Sequence, residues 1–389
     1  MDKIDIYKLF TLYFLYFFIV DALEITIPLY FEEIGIAATI MGLIFSLANG
    51  IRFTSSIFMI FKKYNYRIIL FFIFFLLGFS ALIFSLSQHY LLLTVFSILV
   101  FSTRSLFNIN LNPVLLYSVS YDERGKLMGT RDIFLYSGSA LGLFFCGYIV
   151  KTSFLGVFIL LFVLAILSIF IICFIKKDEI HEDTKSHITS EKVNYKLIFK
   201  NKTILKFCLL GFLGSFISGN LFLVPLLGNS IGVTYEHIFY TFTGSTIIAA
   251  ILSYSGGIIT DKFNKKVLLV VNMIFDLVMY VFLFLADSTV LFIICLGIMS
   301  IQYIFAPVFS VFFSEFFNKE EGEIAWKILV PFMLLAEMIS PILWGIIWDS
   351  SLQQYTFLLT SGLIIFELIL FILLFLLPKR TTKGGEISA

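Results

Sequence analysis

The feature that most constrains this chain is its series of long apolar runs. Each run holds about 20 residues or more, the length that an α-helix needs to cross the hydrocarbon core of a bilayer. Twelve such runs follow one another along the 389 residues. Charged residues make up 14% of the chain, well below the roughly 25% of soluble domains. The sequence therefore predicts an all-α polytopic membrane protein.

The predicted spans form two sets of six, separated by a polar segment. They cover residues 6–30, 37–61, 66–86, 90–119, 127–150, 154–175, 205–227, 235–260, 267–286, 289–313, 324–348 and 355–377. We expect a first six-helix bundle at 1–175, a cytoplasmic linker at 176–204, a second bundle at 205–378 and a cytoplasmic tail at 379–389. The linker is rich in Lys and acidic residues, so it cannot lie in hydrocarbon.

Basic residues predict the orientation of the spans. With the N-terminus inside, 24 of the 27 Lys and Arg residues fall in or beside cytoplasmic segments. Lys151 lies in an outer loop, and Arg52 and Arg104 lie within spans. Because positive residues concentrate on the cytoplasmic side, both termini are predicted there, in a multi-pass protein of the cell (plasma) membrane.

The two halves share short matching segments. Ile34-Gly35-Ile36 matches Ile231-Gly232-Val233, and Pro28-Leu29 matches Pro225-Leu226, both at an offset of 197 residues. A constant offset indicates two parallel repeats. Transporters of this design bind substrate between the repeats, near the middle of the membrane.

Two polar segments resemble signatures of the major facilitator superfamily. The segment from Gly257 to Lys266 (GIITDKFNKK) resembles the family's loop GxxxD(R/K)xG(R/K)(R/K), and residues 121–129 (YDERGKLMG) are similar to its loop between spans four and five. The resemblance implies a major facilitator fold with twelve transmembrane helices in two six-helix repeats, working by alternating access. It also implies a cytoplasmic gate formed by the loop residues Gly257, Asp261, Lys262, Arg124 and Gly125. The loop after span two departs from the pattern, with Lys62 in place of the acid.

Ionisable residues within spans are costly in hydrocarbon and are therefore candidate functional residues. They are Asp21, Glu24, Arg52, Arg104, Asp276, Glu337 and Glu367. Counting residues from the cytoplasmic side places Asp21, Arg104 and Glu337 about 20 Å deep, near the middle of the membrane. Asp21 and Arg104 could carry coupled protons, or could form a fixed buried ion pair that only sets helix packing.

The family resemblance assigns further residues to the central cavity. Proton coupling is expected from Asp21, Glu24, Arg104 and Glu337, and substrate binding from Asn49, Arg52, Asn108, Asn112, Asn220, Gln302 and Tyr303. Glu24 and Glu337 are expected to lack a basic partner, so one of them, rather than Asp21, is the predicted proton carrier. Asp276 and Glu367 are expected to face away from the central cavity and to form local hydrogen bonds.

The sequence carries no pattern for enzymatic chemistry. It contains no GxxxxGK(S/T) motif for ATP, and its four His are not spaced as metal ligands. We therefore expect no enzyme activity, cofactor, metal or nucleic-acid partner. The expected partners are a small-molecule substrate, protons and the lipid bilayer, for a protein that acts as a monomer.

Proton-coupled export of a small cationic or zwitterionic compound is the leading functional hypothesis, because the predicted cavity is acidic and aromatic. The pattern Gly138-Ser-Ala-Leu-Gly142, similar to a motif of the family's antiporters, adds support, although GxxxG also serves close helix packing. Two alternatives remain open. One is proton-coupled uptake of a nutrient, and the other is flipping of a lipid or lipid-linked compound.

The predicted orientation can be tested by thiol labelling in a Cys-free background. A single Cys at Ser230 or Ser351 should react with an impermeant reagent added outside intact cells. A Cys at Ser186, in the linker, should not react. Labelling of Ser186→Cys from outside would contradict the orientation.

Overall fold

A computed structural model describes residues 3–59, 66–116, 124–174, 201–305, 307–317 and 319–376. Residues 176–200 of the predicted linker and the predicted tail lie outside these ranges. Within them the chain is helical, with no strand. The second half begins slightly earlier than predicted, because Asn201 caps a helix that starts at Lys202.

Within the described ranges, the first half holds six helices. These are α1 (Lys3–Glu33), α2 (Ala38–Met59), α3 (Tyr66–Leu86), α4 (Tyr90–Leu116), α5 (Arg124–Val150) and α6 (Phe154–Cys173). The helices of the second half are α7 (Lys202–Ser218), α8 (Leu223–Ser230), α9 (Tyr235–Lys262), α10 (Lys265–Leu285), α11 (Thr289–Ile301), α12 (Val308–Ser314), α13 (Lys319–Trp348) and α14 (Thr356–Phe371). Short 3₁₀ turns occupy Gln302–Ile304 and Gln353–Tyr355, and a π turn covers Ile372–Leu376.

Two of the predicted spans are interrupted helices. Span seven consists of α7 and α8, and span ten consists of α11, the 3₁₀ turn Gln302–Ile304 and α12. In the described ranges, ten helical units are long and apolar enough to cross a membrane. The helices α2 and α9, of 22 and 28 residues, are long enough to complete the predicted twelve.

Equivalent residues of the two halves adopt equivalent conformations. Gly35 and Gly232, 197 positions apart, both have left-handed backbone, with φ of 77° and 83°. A residue with a Cβ would be strained in that conformation, so Gly marks the same turn twice. We call the end of the bundle that contains these two turns the Gly35 end.

The opposite end of the bundle repeats a second feature. In the first half, Lys8 Nζ donates to the carbonyl oxygen of Phe174 at 2.7 Å, just past the end of α6. In the second half, Lys206 Nζ donates to Leu374 O at 2.8 Å, at the end of the last span. Each Lys thus satisfies a carbonyl that the helix end leaves without a partner. The repeat inferred from sequence therefore extends to side-chain contacts.

The glycines of α5 are packing residues. A Cβ on Gly138 would lie 2.1 Å from the carbonyl oxygen of Phe14, and one on Gly142 would lie 2.4 Å from that of Phe18. The backbones of α1 and α5 therefore touch along this stripe, as small residues permit in membrane bundles. This contact accounts for the GxxxG pattern without reference to export.

The halves meet at the Gly35 end through α2 and α13. Asp349, just after α13, accepts hydrogen bonds from the backbone N–H groups of Ala38 at 3.0 Å and Thr39 at 2.7 Å. A carboxylate from the second half therefore caps the helix that begins in the first half. Nearby, Glu32 accepts a hydrogen bond from Asn229 at 3.0 Å, between two positions that are equivalent in the repeat.

The Asp349 cap should favour the state in which the Gly35 end is closed. Asp349→Ala removes both hydrogen bonds, and loss of an N-cap costs about 1 kcal/mol, or roughly a fivefold shift in a two-state equilibrium. A Cys placed at Thr246, in the cavity between the repeats, reports this shift. We expect a reagent added on the side predicted to be extracellular to label it several-fold faster in Asp349→Ala than in the protein that keeps Asp349. Asp287→Ala, at an exposed position in a loop of the same end, is the control. Equal labelling rates in the two variants would contradict a role in closure.

Candidate substrate and coupling site

A cavity of about 500 Å³ lies between the two repeats. The first half contributes α1, α4 and α5, and the second contributes α9, α11 and the 3₁₀ turn of span ten. Its lining includes Phe17, Asp21, Glu24, Arg104, Asn108, Arg131, Tyr136, Ser139, Ser245, Thr246, Met299 and Tyr303. We call this space the central cavity. Its volume lies within the range of small-molecule sites.

Arg104 is held by two carboxylates of α1. Its guanidinium forms an ion pair with Glu24 through Nη1 and lies 3.4 Å from Asp21 Oδ1 through Nη2. Residues 21 and 24 share one face of α1 because they are about one helical turn apart. The predicted contact between Asp21 and Arg104 is therefore present. The expectation that Glu24 has no basic partner is wrong.

Glu337 has a partner as well, because Arg52 reaches it from the opposite half. Arg52 Nη1 lies 3.3 Å from Glu337 Oε2 and donates to Asn49 Oδ1 at 2.7 Å. Counting residues by depth had suggested that no base lies near Glu337. That expectation failed because it considered only the spans of the second half.

Pro341 explains why Asn49 also contacts the backbone of α13. A proline within a helix cannot donate to the carbonyl four residues earlier, and that carbonyl here belongs to Glu337. Asn49 Nδ2 donates to this oxygen at 2.8 Å, and Ser46 Oγ accepts from Ile342 N at 3.1 Å. Asn49, Arg52 and Glu337 thus form a polar link between the halves, which we call the inter-half link. Neither Asn49 nor Arg52 lies among the residues that line the central cavity.

The other predicted substrate residues are distributed over several places. Asn108 and Tyr303 line the central cavity. The side chain of Asn112 lies outside the part of the chain that the structure describes. Asn220 is fully buried within the second half, where it donates to Thr360 at 2.7 Å and accepts from Tyr280 at 2.8 Å. Asn220 lies next to the break between α7 and α8, and both of these hydrogen bonds stay within the protein. It does not line the central cavity.

Gln302 and the two carboxylates of spans nine and twelve line a different space. This second cavity, of about 520 Å³, lies within the second half. Asp276 accepts a hydrogen bond from Asn272 at 3.2 Å, which confirms the local contact expected of it. No described residue hydrogen-bonds Glu367, so the same expectation is wrong there.

Sequence reasoning missed the contribution of α5 to the central cavity. Arg131 was counted among the cytoplasmic basic residues, but it lines the cavity together with Tyr136 and Ser139. Arg131 Nε donates to Asp132 Oδ1 at 2.9 Å, and its guanidinium lies 5.9 Å from the ring centre of Tyr13. The spacing of Arg131, Leu135 and Ser139 at every fourth residue was the available signal.

The predicted gate residues lie at helix ends and not in loops. Gly257, Asp261 and Lys262 belong to the last turns of α9, and Arg124 and Gly125 to the first turn of α5. Lys262 is exposed at the C-terminal end of α9, where a positive charge interacts favourably with the helix dipole. The side chains of Asp261 and Arg124 lie outside the described set.

Comparisons with known proteins agree with this architecture. The family model described as Major Facilitator Superfamily matches residues 9–326 and 222–387. The chain belongs to the major facilitator superfamily. It is a multi-pass membrane protein and a secondary transporter, with two six-helix repeats. Members of this family are not enzymes. A search of curated protein sequences found no match.

Several solved structures share the fold. The nucleoside transporter NupG aligns with a TM-score of 0.77 at 14% identity, over 97% of this chain and 100% of that one. A bacterial homolog of the human lysosomal transporter Spinster, in an inward-facing and unoccupied conformation, aligns with a TM-score of 0.75 at 13% identity, over 96% and 97% of the two chains. A D-xylose-proton symporter aligns with a TM-score of 0.73 at 14% identity, over 98% of each chain. At these identities the likeness shows the fold alone.

The cluster of Asp21, Glu24 and Arg104 should respond asymmetrically to neutralisation. Arg104→Leu leaves two carboxylates without their base, so we expect it to lower the free energy of unfolding, by less than the about 3–5 kcal/mol of a fully buried pair because the Arg104 side chain is 34% exposed. Combining Arg104→Leu with Glu24→Leu removes a matched pair and should restore much of that loss. Thermal unfolding of the purified proteins measures both effects.

The other ion pair, between Arg52 and Glu337, is the matched comparison, and Arg52→Leu removes its base. The loss from Arg104→Leu should be rescued by Glu24→Leu but not by Glu337→Leu. A double variant Arg104→Leu/Glu24→Leu that is as unstable as Arg104→Leu alone would contradict the ion pair.

Proposed function

We propose that this transporter exports a small cationic or zwitterionic compound in exchange for protons, by alternating access through the central cavity. The observation that carries the proposal is a single guanidinium in contact with two carboxylates, in a cavity between the repeats. Charges are costly at this depth, so their presence together indicates a role in binding or coupling.

A cation or zwitterion fits the chemistry of this cluster. Its ammonium group can bind Asp21 or Glu24, and a carboxylate on the same molecule can bind the Arg104 guanidinium. Phe17, Tyr136 and Tyr303 supply aromatic faces around the same space, which favour both apolar groups and cations. The site thus offers a carboxylate for the ammonium group of such a substrate and a guanidinium for its carboxylate.

Proton exchange follows from the count of charges in the cluster. Two carboxylates and one guanidinium carry a net negative charge, and a proton on one carboxylate makes the cluster neutral. The ammonium group of a cationic substrate does the same. Each therefore replaces the other, which is the condition for antiport.

Alternating access requires contacts that form on one side and break on the other. The Asp349 cap joins the halves at the Gly35 end, and the inter-half link joins them further along α2 and α13. The Arg52–Glu337 pair lies between the halves, so rocking of the repeats would separate its charges unless water or substrate solvated them. We assign Glu337 to the conformational change and proton exchange to Asp21 and Glu24.

Proton-coupled uptake of a hydroxylated solute is the second candidate. Asn108, Ser139, Ser245 and Thr246 line the central cavity and can hydrogen-bond hydroxyl groups. Two of the similar structures are named as a nucleoside transporter and a D-xylose-proton symporter. Lipid flipping has no comparable support in the lining of this cavity.

The coupling test measures protons released when substrate binds to detergent-solubilised protein near neutral pH. A thermal-shift screen against metabolites and drugs first supplies the ligand, because binding stabilises the folded protein. We expect Asp21→Asn or Glu24→Gln to lower proton release at least severalfold, while Glu337→Gln still releases protons.

Transport in proteoliposomes then separates the two candidates. An imposed proton gradient should drive substrate against the direction of proton flow for the exporter and along it for the uptake symporter. Wild-type proton release in both Asp21→Asn and Glu24→Gln would remove the cluster from the coupling mechanism.

A further inference from the structure

The second cavity lies inside the second repeat, beside the break in span ten. Its wall is formed by α7, α10, α13, α14 and the 3₁₀ turn Gln302–Ile304. Its apolar lining includes Met273, Met279, Met333, Phe305 and Phe309. Two carboxylates, Asp276 from α10 and Glu367 from α14, line the same space.

Glu367 is a carboxylate with no hydrogen-bond or ion-pair partner among the residues that the structure describes. Protein largely encloses it, and no described residue hydrogen-bonds it. Gly214 lies next to it, since an added Cβ there would lie 3.3 Å from Glu367 Oε1. Unpaired carboxylates are costly in a low-dielectric environment, so this one needs a proton or a positively charged ligand.

The charge around the second cavity is one-sided. Asp276 lies close enough to Glu367 for their charges to interact, and it contacts the amides of Asn272 and Gln302. Glu337 also lines the cavity, but Arg52 is its partner. None of the described lining residues is Lys, Arg or His. The missing positive charge can therefore come from a proton or from a bound cation.

We propose that the second cavity is a binding site for a small organic cation, a primary amine with an apolar body. The ammonium group would donate to Glu367 and Asp276, and the apolar body would pack against the Met and Phe side chains. The volume of about 520 Å³ accommodates a molecule of this class. An inorganic ion would leave most of that space unfilled.

The position of this site separates it from the substrate site proposed above. Met299 and Tyr303 line both cavities, so span ten forms a shared wall between them. Breaks in membrane helices occur where the backbone lines a cavity, and the 3₁₀ turn that carries Tyr303 is such a break. The proposed second site does not depend on the direction of transport or on proton coupling.

The experiment measures binding of phenethylamine to the full-length protein in detergent by calorimetry, with 2-phenylethanol as the uncharged counterpart. We expect the amine to bind and the alcohol to bind at least about tenfold more weakly. Glu367→Gln keeps the shape of the side chain and removes its charge, and should weaken amine binding by about the same factor. Gly214→Val keeps both carboxylates and fills the space next to Glu367, and should weaken binding of both probes.

Two matched variants locate the binding event. Gly362→Val lies on the same helix as Glu367, where an added Cβ meets open space, and should bind the amine as wild type does. Glu24→Gln alters the central cavity and should leave this binding event in place. Absence of amine binding, or binding that survives both Glu367→Gln and Gly214→Val, would overturn the proposal. Binding lost in Glu24→Gln alone would assign it to the central cavity.

Discussion

The constraint on which the structure depends is that hydrocarbon offers no hydrogen bonds. Each polar group at membrane depth must find its partner within the protein. Ser and Thr side chains within the spans meet this demand locally by donating to a carbonyl one turn earlier, as Thr26 does to Ala22 O and Ser168 to Leu164 O. Polar groups that find no hydrogen-bond partner within their own helix must find one on another helix. The polar contacts of Asn49, Arg104 and Asn220 with other helices therefore lie where the sequence places a proline, a charge or a break.

Pro341 shows how such a demand generates a contact between the halves. By leaving the Glu337 carbonyl free, the proline creates an acceptor that Asn49 of the other half fills, and the side chain of Glu337 meets Arg52 at the same level. One backbone defect thus brings an amide, a guanidinium and a carboxylate together between parts that must move. Gly42 permits the approach, since a Cβ there would lie 2.2 Å from Pro341 O.

The sequence predicted the fold well, because span length is a local signal and the repeat shows as short matching segments at one offset. It predicted the candidate site less well. Spacing along one helix identified Asp21 and Glu24 as neighbours, but which of them Arg104 approaches more closely depends on how α4 packs against α1. Arg131 was assigned to the cytoplasmic side because it lies close to a loop in the sequence. That distance does not show whether a side chain reaches the cavity. Asn220 was misassigned because a polar residue in a span can serve a neighbouring helix as readily as a ligand.

The two cavities differ in how their carboxylates are compensated, and this difference bears on mechanism. In the central cavity, Arg131 is paired with Asp132, and Arg104 already neutralises one of the two acids Asp21 and Glu24, so a ligand or proton need supply only one positive charge. In the second cavity, Asp276 and Glu367 have amides or no partner at all among the described residues. A cation there would be held more strongly and would exchange less readily, which suits a site that is occupied throughout a cycle better than one that loads and unloads. Because Tyr303 forms part of both walls, occupancy of the second cavity would fix the position of one ring of the central cavity.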